Sequence, residues 1–168
     1  MEQSLSTLLL LEIPRTNDKK ELAAEQMFAA LHGILKPVRK TWRSNYLNQD
    51  HISFEIASIG QRIRFYVWTP KHLQSFVEGQ IYAQYPTAQI SELDSDYASR
   101  SMSQPVIYSS ELILTDNETI PIKTFPSFEV DPLAAITATL AKLEQPNEEM
   151  WLQFIVRPVS DNWHRKSM

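Results

Sequence analysis

The chain contains no cysteine and only three glycines, Gly33, Gly60 and Gly79, in 168 residues. Without thiols there are no disulfide staples, no thiolate nucleophile and no cysteine-based zinc site. Three isolated glycines cannot build a phosphate-cradling loop, and neither a Walker A pattern nor a dinucleotide fingerprint occurs. Histidines are equally sparse. His32, His51, His72 and His164 stand far apart, with no His-x-x-His or His-Glu-x-x-His spacing, and none is read as a metal ligand. No serine lies in a Gly-x-Ser-x-Gly elbow. Carboxylates gather at Glu92, Asp94 and Asp96 and at Glu148 and Glu149, in polar turns where water solvates them and nothing drives their pKa values apart. A long apolar run is missing too: residues 8–13 are too few to cross a bilayer and read as a buried strand. No catalytic, cofactor-binding or metal-binding residue emerges.

What remains is a chain that is 43% hydrophobic and 21% charged, enough apolar material for a packed core. Sixteen basic against twenty acidic residues leave a formal charge of −4, which gives no global attraction to nucleic acid. A strand is predicted over residues 5–13, ended by Pro14, and a helix over residues 21–35. Ala24, Phe28, Leu31 and Leu35 recur at helical spacing, widened by Leu22, Met27 and Ile34. Residues 36–50 read either as a polar connection or as an edge strand through Trp42, Tyr46 and Leu47. Two alternating runs then predict a hairpin. Ile52, Phe54 and Ile56 lie in one arm and Ile63, Phe65 and Val67 in the other, with a turn at Ile59-Gly60 that sets Phe54 opposite Phe65 and Glu55 opposite Arg64. Thr69-Pro70 reads as a capped helix start, with Leu73, Phe76, Val77 and Ile81 as the buried stripe, and residues 88–93 as a short strand.

Strand, helix, strand, strand, helix, strand is the order of a ferredoxin-like split βαβ unit, assigned to residues 1–94. Residues 95–105 read as a serine-rich linker. Residues 106–160 then predict two strands (106–114 and 119–125), a helix that starts at Asp131-Pro132 with the stripe Leu133, Ile136, Leu140 and Leu143, and a last strand over 150–156. This order gives an α+β fold in which a second, incomplete ferredoxin-like unit (ββαβ) follows the first, with mainly antiparallel sheets and helices on one face. A single extended sheet covered by helices on one side is the alternative. Residues 161–168 read as a tail or as the start of a linker to a further domain.

Binding signals are richer than catalytic ones. Arg39, Lys40, Trp42, Arg43 and Tyr46 interleave basic and aromatic side chains. Arg62, Arg64, Tyr66 and Trp68 alternate with Ile63, Phe65 and Val67 and so share the sheet face opposite them. Such a face suits protein-interface anchors or base stacking with phosphate contacts. It also suits a plain structural role, with Glu55 paired to Arg64 while Tyr66 and Trp68 pack beneath a neighbouring segment. A deep pocket between the two units would instead favour a small enzyme.

Three stretches, Leu22-Ala23-Ala24-Glu25-Gln26-Met27-Phe28-Ala29-Ala30-Leu31-His32-Gly33-Ile34, Ile52-Ser53-Phe54-Glu55-Ile56 and Trp151-Leu152-Gln153-Phe154-Ile155-Val156-Arg157-Pro158-Val159, carry a family resemblance. The chain resembles the region ahead of the motor in bacterial conjugative-transfer and type IV secretion ATPases of the coupling-protein kind. That resemblance implies a non-catalytic assembly or recognition domain whose partners are other subunits of a secretion complex, or further copies of the chain, with DNA as an alternative partner. It implies a cytoplasmic place at the inner face of the membrane, within an anchored assembly. ATP and magnesium are implied only for the motor, whose Walker A lysine and acidic partner match no residue here.

Overall fold

The computed structural model of the chain describes residues 5–15, 21–36, 49–99, 106–116, 120, 123–131 and 133–160. Five strands, β1 (Ser6–Glu12), β2 (Ile52–Ile59), β3 (Arg62–Pro70), β4 (Gln89–Glu92) and β5 (Met150–Val156), join three helices, α1 (Glu21–Leu31), α2 (Gln74–Gln84) and α3 (Leu133–Leu140). The strands form one sheet in the order β4-β1-β3-β2-β5, and every neighbouring pair is antiparallel. The architecture is therefore α+β.

Burial on both faces explains the composition of the central strands. In β1, Leu9 and Leu11 meet the core formed with α1 and α2, while Leu8 and Leu10 serve a second core on the opposite face. A strand covered on both sides needs an unbroken apolar run, and residues 8–11 supply one. The helix-side core is built on Leu9, Met27, Leu31, Val67, Val77 and Ile81. Burying each side chain of this size contributes roughly 1.5–3 kcal/mol.

Several local expectations are corrected. Helix α1 stops at Leu31 and tightens into a 3-10 turn over His32–Ile34. Its buried positions are Ala23, Met27 and Leu31, which rotates the core stripe away from Phe28; that ring sits at the rim, edge-on to Phe54 at 5.0 Å. Thr69-Pro70 does not start a helix. Both residues complete β3, a 3-10 turn over Lys71–Leu73 follows, and α2 starts only at Gln74. The Asp131 cap does form, its carboxylate accepting the Leu133 N–H at 2.9 Å.

The hairpin register also differs. Phe54 lies opposite Val67, Glu55 opposite Tyr66 and Ile56 opposite Phe65. The loop is Gly60-Gln61, with φ of +56° and +60°. Two successive left-handed residues make the tight hairpin turn that matches strand twist. The expected Ile59-Gly60 loop would place a β-branched residue in that region, which is sterically costly.

The region expected to form a second ββαβ unit is arranged otherwise. Residues 106–114 form no strand; of the second expected strand over 119–125, residues 120 and 123–125 are described and form none, with a 3-10 turn at Phe125–Ser127, while 119, 121 and 122 lie outside the described residues. β5 pairs instead with β2, from Ile52↔Val156 to Ser58↔Met150, because the outer edge of β2 offers a ready ladder. All described strands thus share one sheet, the arrangement named above as the alternative. Residues 95–99, read as linker, fold back over the sheet and bury Tyr97.

The two solvent-open glycines provide a paired test. An alanine at Gly60 meets no atom within 4 Å but must adopt a left-handed φ, whereas one at Gly79 meets open space inside α2. Gly60→Ala should cost about 1 kcal/mol and Gly79→Ala should stabilise by up to about 1 kcal/mol. Urea titrations with unchanged m-values measure both; a gain from Gly60→Ala would contradict the turn.

Candidate functional site

On the face away from α1 and α2, the odd-numbered residues of β2 and β5 meet the even-numbered residues of β3. This brings Glu55, Gln153 and Tyr66 to the middle of the sheet, with Glu55 only 5% exposed. Tyr97, carried over the sheet by the chain after β4, donates its hydroxyl to Glu55 Oε2 at 2.6 Å. Gln153 Nε2 donates to Glu55 Oε1 at 3.2 Å and reaches the Tyr97 oxygen at 3.4 Å. The Tyr97 ring lies 5.1 Å from Tyr66 and 4.9 Å, edge-on, from Trp151. Burial, then the hydrogen bond and charge of Glu55, pushes the Tyr97 hydroxyl well above the ordinary tyrosine range. The phenol holds its proton, so this cluster is a clamp across three segments rather than an acid–base pair poised near neutrality.

Arg62, Arg64, Tyr66 and Trp68 lie on this one face but differ in exposure. Tyr66 is 4% exposed, covered by Tyr97. Trp68 is half-buried and stacks on His51, with centroids 4.9 Å apart and planes at 17°. Arg62 is exposed and Arg64 half-buried, and Glu55 faces Tyr66 instead of Arg64. On the helix side Val67 is fully buried, yet Phe65 keeps 45% of its surface in solvent. Arg39, Lys40, Trp42, Arg43 and Tyr46 lie outside the described residues.

The base of the segment that carries those five residues is nevertheless fixed. Lys36 N–H donates to Gln49 Oε1 at 2.9 Å, and Gln49 Nε2 donates to Ile34 O at 3.2 Å. Asp50 takes Lys36 Nζ at 2.7 Å and His72 Nε2 at 3.1 Å. Burial works against the Asp50 charge, but Lys36 and His72 together hold its carboxyl below the usual carboxylate range. Three backbone stretches, at the end of α1, the start of β2 and the start of α2, are joined at this one carboxylate.

Two clefts flank the sheet. An apolar one of about 220 Å³ lies between Phe28, Leu31, Ile34 and Ile52 on one side and Val156 and Pro158 on the other. His32 closes one end, its Nε2 donating to Val159 O at 3.0 Å. The second, about 600 Å³, opens by Thr7, Trp68, Lys71, Glu92, Asp94 and Asp96. There Lys71 pairs with Glu92 and, with Gln74 and Thr7, keeps that carboxyl below its ordinary range. Among the described residues no group of three or more His, Asp or Glu is placed to hold a metal ion, and no helix is long and apolar enough to cross a membrane.

A run of exposed apolar side chains lies elsewhere among the described residues. Val106, Ile107, Tyr108, Leu112, Ile113 and Leu114 are each more than half exposed, Tyr108 at 92%. β5, one edge of the sheet, contains no charge, and its Ile155 is 65% exposed. Sequence reasoning saw these stretches only as strands. It missed the Glu55–Tyr97–Gln153 clamp, although a carboxylate amid Ile52-Ser53-Phe54-Glu55-Ile56-Ala57 signals a buried charge in need of a partner.

The family model described as "Domain of unknown function (DUF8128)" matches residues 9–168, nearly the whole chain. No curated protein and no solved structure matches.

The clamp predicts an alkaline signature. Tyr97→Phe leaves Glu55 buried with one partner fewer, which should cost about 2 kcal/mol at neutral pH. Because the folded-state pKa of Tyr97 is raised, its contribution is complete below the unfolded value of 10.0 and is lost as pH rises beyond it. Denaturation at pH 7.5 and pH 10.5 should show the gap between wild type and variant narrowing at the higher pH; a widening gap would contradict the assignment.

Proposed function

We propose that this chain, a member of the DUF8128 family, is a non-catalytic assembly domain that makes protein–protein contacts within a conjugative DNA-transfer or type IV secretion complex. One observation carries the assembly reading: residues 106–114 expose six large apolar side chains in a stretch with a single charge, Glu111. So many exposed apolar side chains close together in one stretch mark an interaction site in a folded protein. The secretion context rests on the sequence resemblance of residues 22–34, 52–56 and 151–159. In this reading the chain works at the cytoplasmic face of an anchored machine, beside a motor that binds ATP and magnesium, and itself holds no cofactor.

The finer fold belongs to the same proposal. We read β1-α1-β2-β3-α2-β4 as a ferredoxin-like split βαβ unit, which the order β4-β1-β3-β2 supports.

The test is genetic and biochemical. In the native organism, deleting the coding region should lower conjugative transfer at least tenfold with growth unchanged, and transfer at the wild-type rate rejects the secretion context. The purified chain should not hydrolyse ATP. Anisotropy with single- and double-stranded DNA across a salt series should show weak binding. Tight, salt-dependent binding that falls in Arg62→Gln/Arg64→Gln would favour a nucleic-acid module instead.

A further inference from the structure

We propose that residues 106–114 are a strand that forms on dimerisation, adding to the outer edge of β5 in a second copy of the chain while that copy returns its own segment. The inference deepens the assembly reading and rests on it only in taking the chain as an interaction domain. Two unfinished β features occur in one sequence. The first is the segment itself: Val106, Tyr108, Ser110, Leu112 and Leu114 alternate with Ile107, Ser109, Glu111 and Ile113, and residues 106–114 make no hydrogen bond with the described residues. The second is the edge it would meet. β5 pairs only with β2 among the described residues, and its outward N–H and C=O groups form a ready template.

The two sheet edges are unlike, which selects β5. β4 has four residues, ends in the charged Glu92, and is closed at that end by the Lys71–Glu92 pair. Short length and charge are what keep an edge from pairing. β5 has seven residues, Met-Trp-Leu-Gln-Phe-Ile-Val, with neither charge nor proline, and leaves Phe154 and Ile155 exposed. The segment is two residues longer than β5, so it can pair along the whole edge, and Glu111 meets no charge on β5.

The occupant is a second copy because one chain carries both halves of the junction, the unpaired strand-like segment and the open uncharged edge. The six exposed apolar side chains present roughly 600 Å² per copy, at about 100 Å² each. A reciprocal exchange therefore brings on the order of 1,000 Å² of apolar surface to the two junctions, about the minimum for a biological interface. Each copy contributes one strand and one edge, so the exchange is reciprocal and the contact closes with two-fold symmetry.

Light scattering coupled to size exclusion on the full chain, from 5 to 200 µM, tests this. Wild type should run as a dimer. Ile107→Lys/Ile113→Lys, which spoils the strand, and Ile155→Lys, which spoils the edge, should each raise the dissociation constant at least 100-fold. An equimolar mixture of the two variants should recover dimer, because it retains one intact strand–edge junction. Hydrogen exchange on the wild type needs no variant to fold: protection of 106–114 and of β5 should rise together with concentration. A monomer at every concentration overturns the proposal, whether 106–114 exchanges freely or is protected on its own sheet. A dimer that survives in both variants overturns it as well. Transfer frequency reads the secretion context, while solution mass reads the copy-to-copy contact, so either can fail alone.

Discussion

A carboxylate buried in the middle of a sheet restricts what can lie above it. Glu55 is flanked on its face by β3 and β5, and burial would expel its charge unless donors reach both oxygens. Tyr97 and Gln153 meet that need from positions 42 and 98 residues away. The same contacts bring the chain after β4 back over the sheet and fix β5 against β2. They also set the Tyr97 ring among Tyr66 and Trp151, which closes the second core. Geometry that an apolar filler would leave loose is thereby specified by two hydrogen bonds.

With this face closed by one tyrosine and the other by two helices, β1 had to be apolar over residues 8–11. That much was legible. The run through Leu8-Leu9-Leu10-Leu11 announced burial, and the alternation in β2 and β3 announced a hairpin. Val77 and Ile81 marked the inner stripe of α2, and Asp131 marked the start of α3. Each of these signals is local, written within one or two turns of chain.

What could not be read is what depends on distant partners. The face of α1 turned from Phe28 to Met27 because the sheet, not the helix pattern, decides which stripe is inner. The hairpin shifted by one loop position because Gly60 and Gln61 both take left-handed φ, a demand that alternation alone does not reveal. Tyr66 was legible as lying opposite Val67, but its cover comes from Tyr97, thirty-one positions on and beyond another helix and strand. The basic and aromatic residues chosen as one face are consequently divided: Tyr66 in a core, Trp68 under His51, and Arg62 in solvent.

Residues 106–114 turn the same reasoning round. Their pattern is as strand-like as that of β2, yet the described fold gives them no ladder. Local pattern is a demand for burial, and tertiary structure is one of two ways to meet it; quaternary structure is the other. β5 makes the complementary demand, since it fills the edge of β2 and thereby exposes an equally uncharged edge of its own. Adding β5 therefore moves the open template outward by one strand without removing it. A sheet built this way ends only where an edge is blunted, as at β4.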